Sequence, residues 1–133
     1  MSKVLFINPV VREEDNPRHV PYGMATLVAI AMKKGHQVQV FDQNAWRKPP
    51  EVLESILKAD QWDVIALGSI SSAYKSVKEI IQQARESCPD SLIILGGGIL
   101  TSIPHDIMNL LPQIDIGVVG EAYHTFPEIL EMS

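Results

Sequence analysis

Two kinds of hydrophobic run alternate along the chain. Lys3–Ile7 (Lys-Val-Leu-Phe-Ile), Asp63–Ser69, Leu92–Leu95 (Leu-Ile-Ile-Leu) and Ile116–Val119 are short and apolar at nearly every position. Such runs are too short for helices and suit strands buried on both faces, as in a parallel sheet. Gln37–Asp42 (Gln-Val-Gln-Val-Phe-Asp) alternates as a strand does. Between these runs the apolar spacing is helical. Tyr22–Lys34 follows Pro21 and ends at Gly35, placed at C′. Its middle, Ala25–Met32, is apolar almost all round, so this helix is either deeply buried or covered by something beyond the domain.

Pro49-Pro50 opens a short helix with Val52, Leu53, Ile56 and Leu57 inward and Glu51, Glu54 and Lys58 outward. Ser71 or Ser72 can cap the next helix. In it Ala73, Val77, Ile80, Ile81, Ala84 and Cys88 recur at helical spacing until Pro89. Pro104 starts a helix carrying Ile107, Leu110 and Leu111, closed by Pro112, and Thr125-Phe-Pro-Glu128 is a capping box for a last helix. Strict strand–helix alternation predicts an α/β fold: a doubly wound, five-stranded parallel sheet, Rossmann-like, in the flavodoxin-like order 2-1-3-4-5.

Composition narrows the class. An apolar share of 46% with 20% charged residues is globular, not disordered. A net charge of −5 argues against a nucleic-acid surface. The single cysteine, Cys88, excludes an internal disulfide and fits a reducing, cytoplasmic compartment. No apolar run approaches the ~20 residues that span a bilayer, so no membrane partner is expected. No repeat or Gly/Ser linker divides the chain, which reads as a single domain over 1–133, the N-terminal part of a longer protein.

Function in this fold sits on the loops after the strands, and the fourth strand runs into Gly96-Gly97-Gly98. Residues without a Cβ let the backbone turn and leave space for a ligand, and open α/β sheets bind at the carboxyl ends of their strands. The first loop, Asn8-Pro9-Val10-Val11-Arg12, has no G-x-G-x-x-G, so Asp42 has no pyrophosphate site to serve. It also lacks the Ser/Thr/Gly-rich phosphate loop of a flavodoxin. Phosphate-receiving chemistry would need an acidic pair there and an Asp after the third strand, where Ser69-Ile70-Ser71 stands instead. Gly68-Ser69-Ile70-Ser71 is not a nucleophile elbow, and no His/Cys/Asp/Glu set has metal-ligand spacing. His36 reads as a helix-end residue and His105 and His124 as surface, while His19 lies in the long first loop. Trp46 and Trp62 are expected to pack under the second helix, and Cys88 in the core.

Taken together, Val4–Pro9, Pro21–Leu27, Gly35–Asp42, Asp63–Ser71, Leu95-Gly-Gly97, Gly120-Glu121 and Thr125–Leu130 resemble the cobalamin (vitamin B12)-binding domain that precedes the radical SAM domain in cobalamin-dependent radical SAM enzymes. Anaerobic magnesium-protoporphyrin IX monomethyl ester cyclase is of this kind. The resemblance implies a cofactor-binding module of a methyltransferase or cyclase, not catalytic alone. It implies contacts to cobalamin from Asn8, Pro9, Ser69, Ile70, Ser71, Tyr74, Gly96, Gly97, Gly98 and Glu121. Ser69 matches the serine that touches the nucleotide tail, and Gly96-Gly97 the pair that leaves it room. Gly98-Ile99 stands where Pro-His is more frequent, and Ala122-Tyr123 replaces a second Gly-Glu.

The Asp-x-His-x-x-Gly motif that supplies a lower histidine ligand is absent, which implies base-off cobalamin with no histidine of this domain on cobalt. The parent's iron–sulfur cluster and S-adenosylmethionine would sit on a C-terminal radical SAM domain, since no C-x-x-x-C-x-x-C is present here. The alternative is a Rossmann-like docking domain that has lost its cofactor. Three expectations follow: Asn8, Ser69, Gly97 and Glu121 gather at one edge; an apolar patch or homodimer contact lies near that edge or the last helix; and the cofactor tail crosses the glycines.

Overall fold

The computed structural model describes residues 1–10, 22–68, 73–97, 104–120 and 125–132. Among these residues the chain runs β1 (Lys3–Asn8), α1 (Tyr22–Lys33), β2 (Gln37–Asp42), α2 (Gln43–Trp46), α3 (Pro50–Ala59), β3 (Val64–Gly68), α4 (Tyr74–Ser87), β4 (Leu92–Gly96), α5 (Pro104–Leu110), β5 (Ile116–Gly117) and α6 (Thr125–Met132). The sheet order is β2-β1-β3-β4-β5 and the pairs are parallel, as expected. Every strand therefore ends at the same edge, and α1 and α6 start there.

Alternation of side chains along the strands divides the core in two. Leu5, Ile7, Ile65, Leu67, Ile93 and Leu95 face α3, α4 and α5, where Leu53, Leu57, Val77, Ile81, Ala84 and Ile107 close over them. Val4, Phe6, Val64, Ala66 and Ile94 face α1 and α6, meeting Ala31, Phe126 and Leu130. The rings of Phe6 and Phe126 lie 5.4 Å apart and tilted, tying α6 to the central strand. Each fully buried Leu, Ile or Phe here contributes about 2 kcal/mol of transfer free energy.

Several local expectations change. The fully buried position of α1 is Ala31; Met24, Leu27 and Val28 are half-covered and Met32 is 62% exposed. Within this chain α1 is thus not the deeply buried helix its composition allows. Of the three apolar residues of α5 and its end, Ile107 and Leu111 fill the contact with the sheet and Leu110 is exposed. Trp62 packs in the core and donates from Nε1 to the Ile56 carbonyl, whereas Trp46 is 48% exposed, edge-on to Phe41 at 5.3 Å. The intervening α2 was not foreseen; the Asp42 carboxylate caps it by accepting from the Ala45 N–H. Ala73 occupies the N-cap position of α4 with no side-chain bond, while Ser71 and Ser72 lie outside the described residues. β5 pairs over Ile116–Gly117, and Val119 beyond it is exposed.

The N-terminal edge is held by polar ties. Arg85 donates from Nη1 to the carbonyls of Pro89 and Ser91, and from Nη2 to the Gln113 carbonyl and the Asp115 carboxylate. Asp115 also accepts from the Ile93 N–H at 2.8 Å, so one guanidinium fixes α4 to the starts of β4 and β5. His36 is buried, and its Nδ1 accepts from the Ser2 N–H at 2.9 Å, which leaves the neutral ring's proton on Nε2. Lys3 pairs with Asp60 at 2.8 Å and holds that carboxyl below the usual range.

Two stability outcomes follow. Arg85→Met removes four donated hydrogen bonds and should cost about 1–3 kcal/mol in denaturant melts, discounted for the partly exposed ion pair. A loss too small to measure would contradict the staple. In β3, a Cβ on Gly68 would meet the Gly96 carbonyl oxygen at 2.6 Å, whereas among the described residues one on Gly96 would meet nothing nearer than the Val118 oxygen at 3.7 Å. Gly68→Ala should therefore destabilise by about 1–3 kcal/mol through forced separation of β3 and β4. Gly96→Ala should be tolerated within about 1 kcal/mol, and equal effects of the two would refute this asymmetry.

Candidate functional site

At the carboxyl ends of the strands the register brings one row of residues side by side. Asn8 pairs with Asp42, Gly68 pairs with Gly96, and both lie one residue beyond pairs that join the remaining strands: Ile7 with Leu67, and Leu95 with Gly117. The row thus reads Asp42, Asn8, Gly68, Gly96, Val118. Two residues back along the strands, Phe6, Ala66 and Ile94 belong to the α1/α6 cluster, so by alternation this row faces α1 and α6 as well. Gly68 and Gly96 carry no side chains. Among the described residues no side chain of the strands themselves stands between Asn8 and Val118 in this row, at the edge where α1 and α6 begin.

Polar and apolar groups flank that bare stretch differently. Asn8 is 6% exposed, and its Nδ2 donates to Asp42 Oδ1 at 3.0 Å. The same carboxylate oxygen accepts from the Ala45 N–H at 3.0 Å. Phe6 and Ala66 lie beneath, and Val118 bounds the far side. Gly97, the next residue along β4, has a φ of 86°, a left-handed conformation in which a side chain is strained. At Gly23, in the first turn of α1, a Cβ would meet nothing within 4 Å.

Of the residues singled out from the sequence, Asn8 and Gly96 are brought together on this face, with Gly97 following. Pro9 is buried, and Val10 beside it donates from its N–H to Ser76 Oγ in α4 at 2.9 Å. Tyr74 packs against the cluster on the α3–α5 side, the other face of the sheet. Ser69, Ile70, Ser71, Gly98 and Glu121 lie outside the described residues, as do His19 and His124. Sequence reasoning passed over Gly68 and set Asp42 aside. The signal for both was positional: a glycine ending one strand opposite a glycine ending the next, and a carboxylate ending the strand that pairs with Asn8.

The described residues at this edge offer an amide, a carboxylate already engaged twice, and bare backbone. That is the chemistry of holding a ligand. Among the described residues no group of three His, Cys, Asp or Glu is placed to hold a metal. Cys88 is buried, its thiol lies against the Leu57 carbonyl, and burial pushes its pKa up, which leaves it unreactive. A groove of about 710 Å³, lined by Asp60, Trp62, Asp63, Cys88, Ser91 and Ile129, lies at the opposite edge, away from the glycine row. No helix among the described residues is long and apolar enough to cross a membrane.

An uncharacterized methyltransferase of Pyrococcus horikoshii, PH0819, is 25% identical over 111 residues, covering 84% of this chain and 24% of that protein. The radical S-adenosylmethionine methyltransferase TsrM from Kitasatospora setae, solved with cobalamin and a [4Fe-4S] cluster bound, superposes with a TM-score of 0.83 at 20% identity, over 98% of this chain and 24% of its own. The cobalamin-dependent S-adenosylmethionine radical enzyme OxsB, solved with aqua-cobalamin and S-adenosylmethionine, gives a TM-score of 0.78 at 19% identity, over 99% of this chain and 18% of its own. This chain thus spans about a quarter or less of the length of these relatives. At such identities the two solved structures establish a shared fold. Residues 9–130 match the family described as B12 binding domain, and the chain belongs to that family.

Proposed function

We propose that this chain is the cobalamin-binding module of a cobalamin-dependent radical SAM enzyme of methyltransferase or cyclase type. The observation that carries the reading is the pair Gly68–Gly96, adjacent in register and free of side chains on the face beside Asn8. A flat cofactor tail lying on a sheet needs such a cleared strip, and it belongs at the carboxyl edge of the strands. The occupancy of the same fold by cobalamin in TsrM and OxsB supports it.

Bound cobalamin would supply cobalt chemistry to the parent enzyme, whose iron–sulfur cluster and S-adenosylmethionine belong to a radical SAM domain outside this chain. The residues present here bind and orient. Asn8 offers its amide, the glycine row leaves room for the tail, and Ser69 and Glu121 are the proposed contacts from the neighbouring loops. The residues that follow β1 directly, Pro9 and Val10, cannot ligate cobalt, which supports a base-off cofactor with no histidine from this domain. Exposed Met32 of α1 and Val40 of the edge strand β2 supply apolar surface for the rest of the parent or for a second copy. A cytoplasmic setting fits the lone, reduced Cys88.

Gel filtration with hydroxocobalamin tests the binding: corrin absorbance should travel with the wild-type chain, and its absence would favour the cofactor-free docking domain. Gly96→Val should fold and lose at least tenfold in affinity, because its side chain enters the cleared strip without strain elsewhere. Gly97→Val should also lose stability, by about 1–2 kcal/mol, because of its left-handed φ. Undiminished binding by Gly96→Val would show that the tail does not cross the glycines. Ser69→Ala should weaken binding about fivefold, the worth of one net hydrogen bond. An axial imidazole signature in the cobalt spectrum that vanishes in His19→Ala would refute the absence of a histidine ligand.

A further inference from the structure

The Asn8–Asp42 pair at the end of the glycine row does more than close the sheet. Asp42 Oδ1 accepts twice, from Asn8 Nδ2 and from the Ala45 N–H, each at 3.0 Å. A carboxylate only accepts, so it can bind the nitrogen of the Asn8 amide and never the oxygen. That fixes which way the amide faces: the nitrogen is spent on β2, and the oxygen is the group left over. Asn8 makes no further side-chain hydrogen bond among the described residues, yet its oxygen is not one of the buried atoms left without a partner; His36 Nε2 alone is. The Asn8 oxygen is thus the part of this 6% exposed side chain that keeps its capacity to accept.

We propose that Asp42 is a positioning residue of the site, locking the Asn8 amide so that its oxygen is presented beside Gly68 as an acceptor for a ligand N–H or O–H donor. This rests on the cobalamin reading for the identity of the ligand but not for the lock itself. Two parts of a cobalamin carry such donors: the amides of the corrin side chains, primary and secondary, and the hydroxyls of the ribose in the nucleotide tail. An acceptor fixed in place selects a donor at small entropic cost, because the amide has no flip to lose on binding. The same lock would repel a ligand group that only accepts, such as a phosphate, from the β1 position, and leave that group to other parts of the edge. The bland alternative, that Asp42 merely caps α2, is separable because serine caps equally well but is too short to hold Asn8.

The test uses the whole chain in three forms: wild type, Asp42→Ser, and the exchange Asn8→Asp with Asp42→Asn. In the exchange the new amide donates to the new carboxylate, so the pair is kept and an acceptor oxygen still stands at position 8. Asp42→Ser should stay folded, with its melt lowered by the unpaired Asn8 nitrogen, and bind hydroxocobalamin about fivefold more weakly, and the exchange should return to within about twofold of wild type. Cobinamide, which has the corrin amides and no nucleotide, separates the two donors. A penalty that persists with cobinamide places the donor on the corrin, and one that disappears places it on the ribose. Wild-type affinity in Asp42→Ser for both corrinoids, or an exchange variant as weak as the single one, overturns the proposal. Side-chain amide NMR of the ligand-free chain judges the lock apart from any cofactor: the Asn8 NH2 pair should shift and lose its exchange protection in Asp42→Ser. An unchanged pair overturns the lock. A wild-type chain with the lock intact that takes up neither corrinoid overturns the cobalamin reading and the donor assignment built on it.

Discussion

Everything in this domain depends on a parallel sheet whose middle strands, β1, β3 and β4, are buried on both faces. Parallel pairing forbids tight hairpins, so each strand must be followed by a crossover that returns the chain to the starting edge. The crossovers cover both faces, which explains why Leu5 and Phe6, adjacent in sequence, belong to different halves of the core. The same geometry sends every strand end to one edge. In open α/β sheets that edge is where ligands bind.

The close approach of β3 to β4 constrains Gly68 and Gly96 differently. Gly68 is required by the fold, since any side chain would strike the neighbouring carbonyl. Gly96 is not, since a side chain there has room. Beside it, Asn8 is restrained by a charge and not by another neutral group, so the amide has one orientation instead of two. The opposite edge has a different character: Arg85, Asp115, Lys3 and Asp60 make contacts that tie strand starts to helix ends.

The sequence by itself determined the architecture. Uninterrupted apolar runs at Val4–Ile7, Val64–Leu67 and Leu92–Leu95, separated by helical spacing, admit little besides a doubly wound parallel sheet, because only strands covered on both faces are apolar at every position. It also pointed to the family, through the order of its short motifs. Tertiary structure decided what local pattern cannot carry. That Leu110 is exposed while Ile107 and Leu111 are buried, and that α1 buries Ala31 and leaves Met32 out, depends on which face a helix turns to its neighbours. That Gly68 stands against Gly96, and Asp42 against Asn8, depends on register between strands far apart in the chain. A site made by placing strand ends side by side has no contiguous signature; its residues become a site only when pairing aligns them.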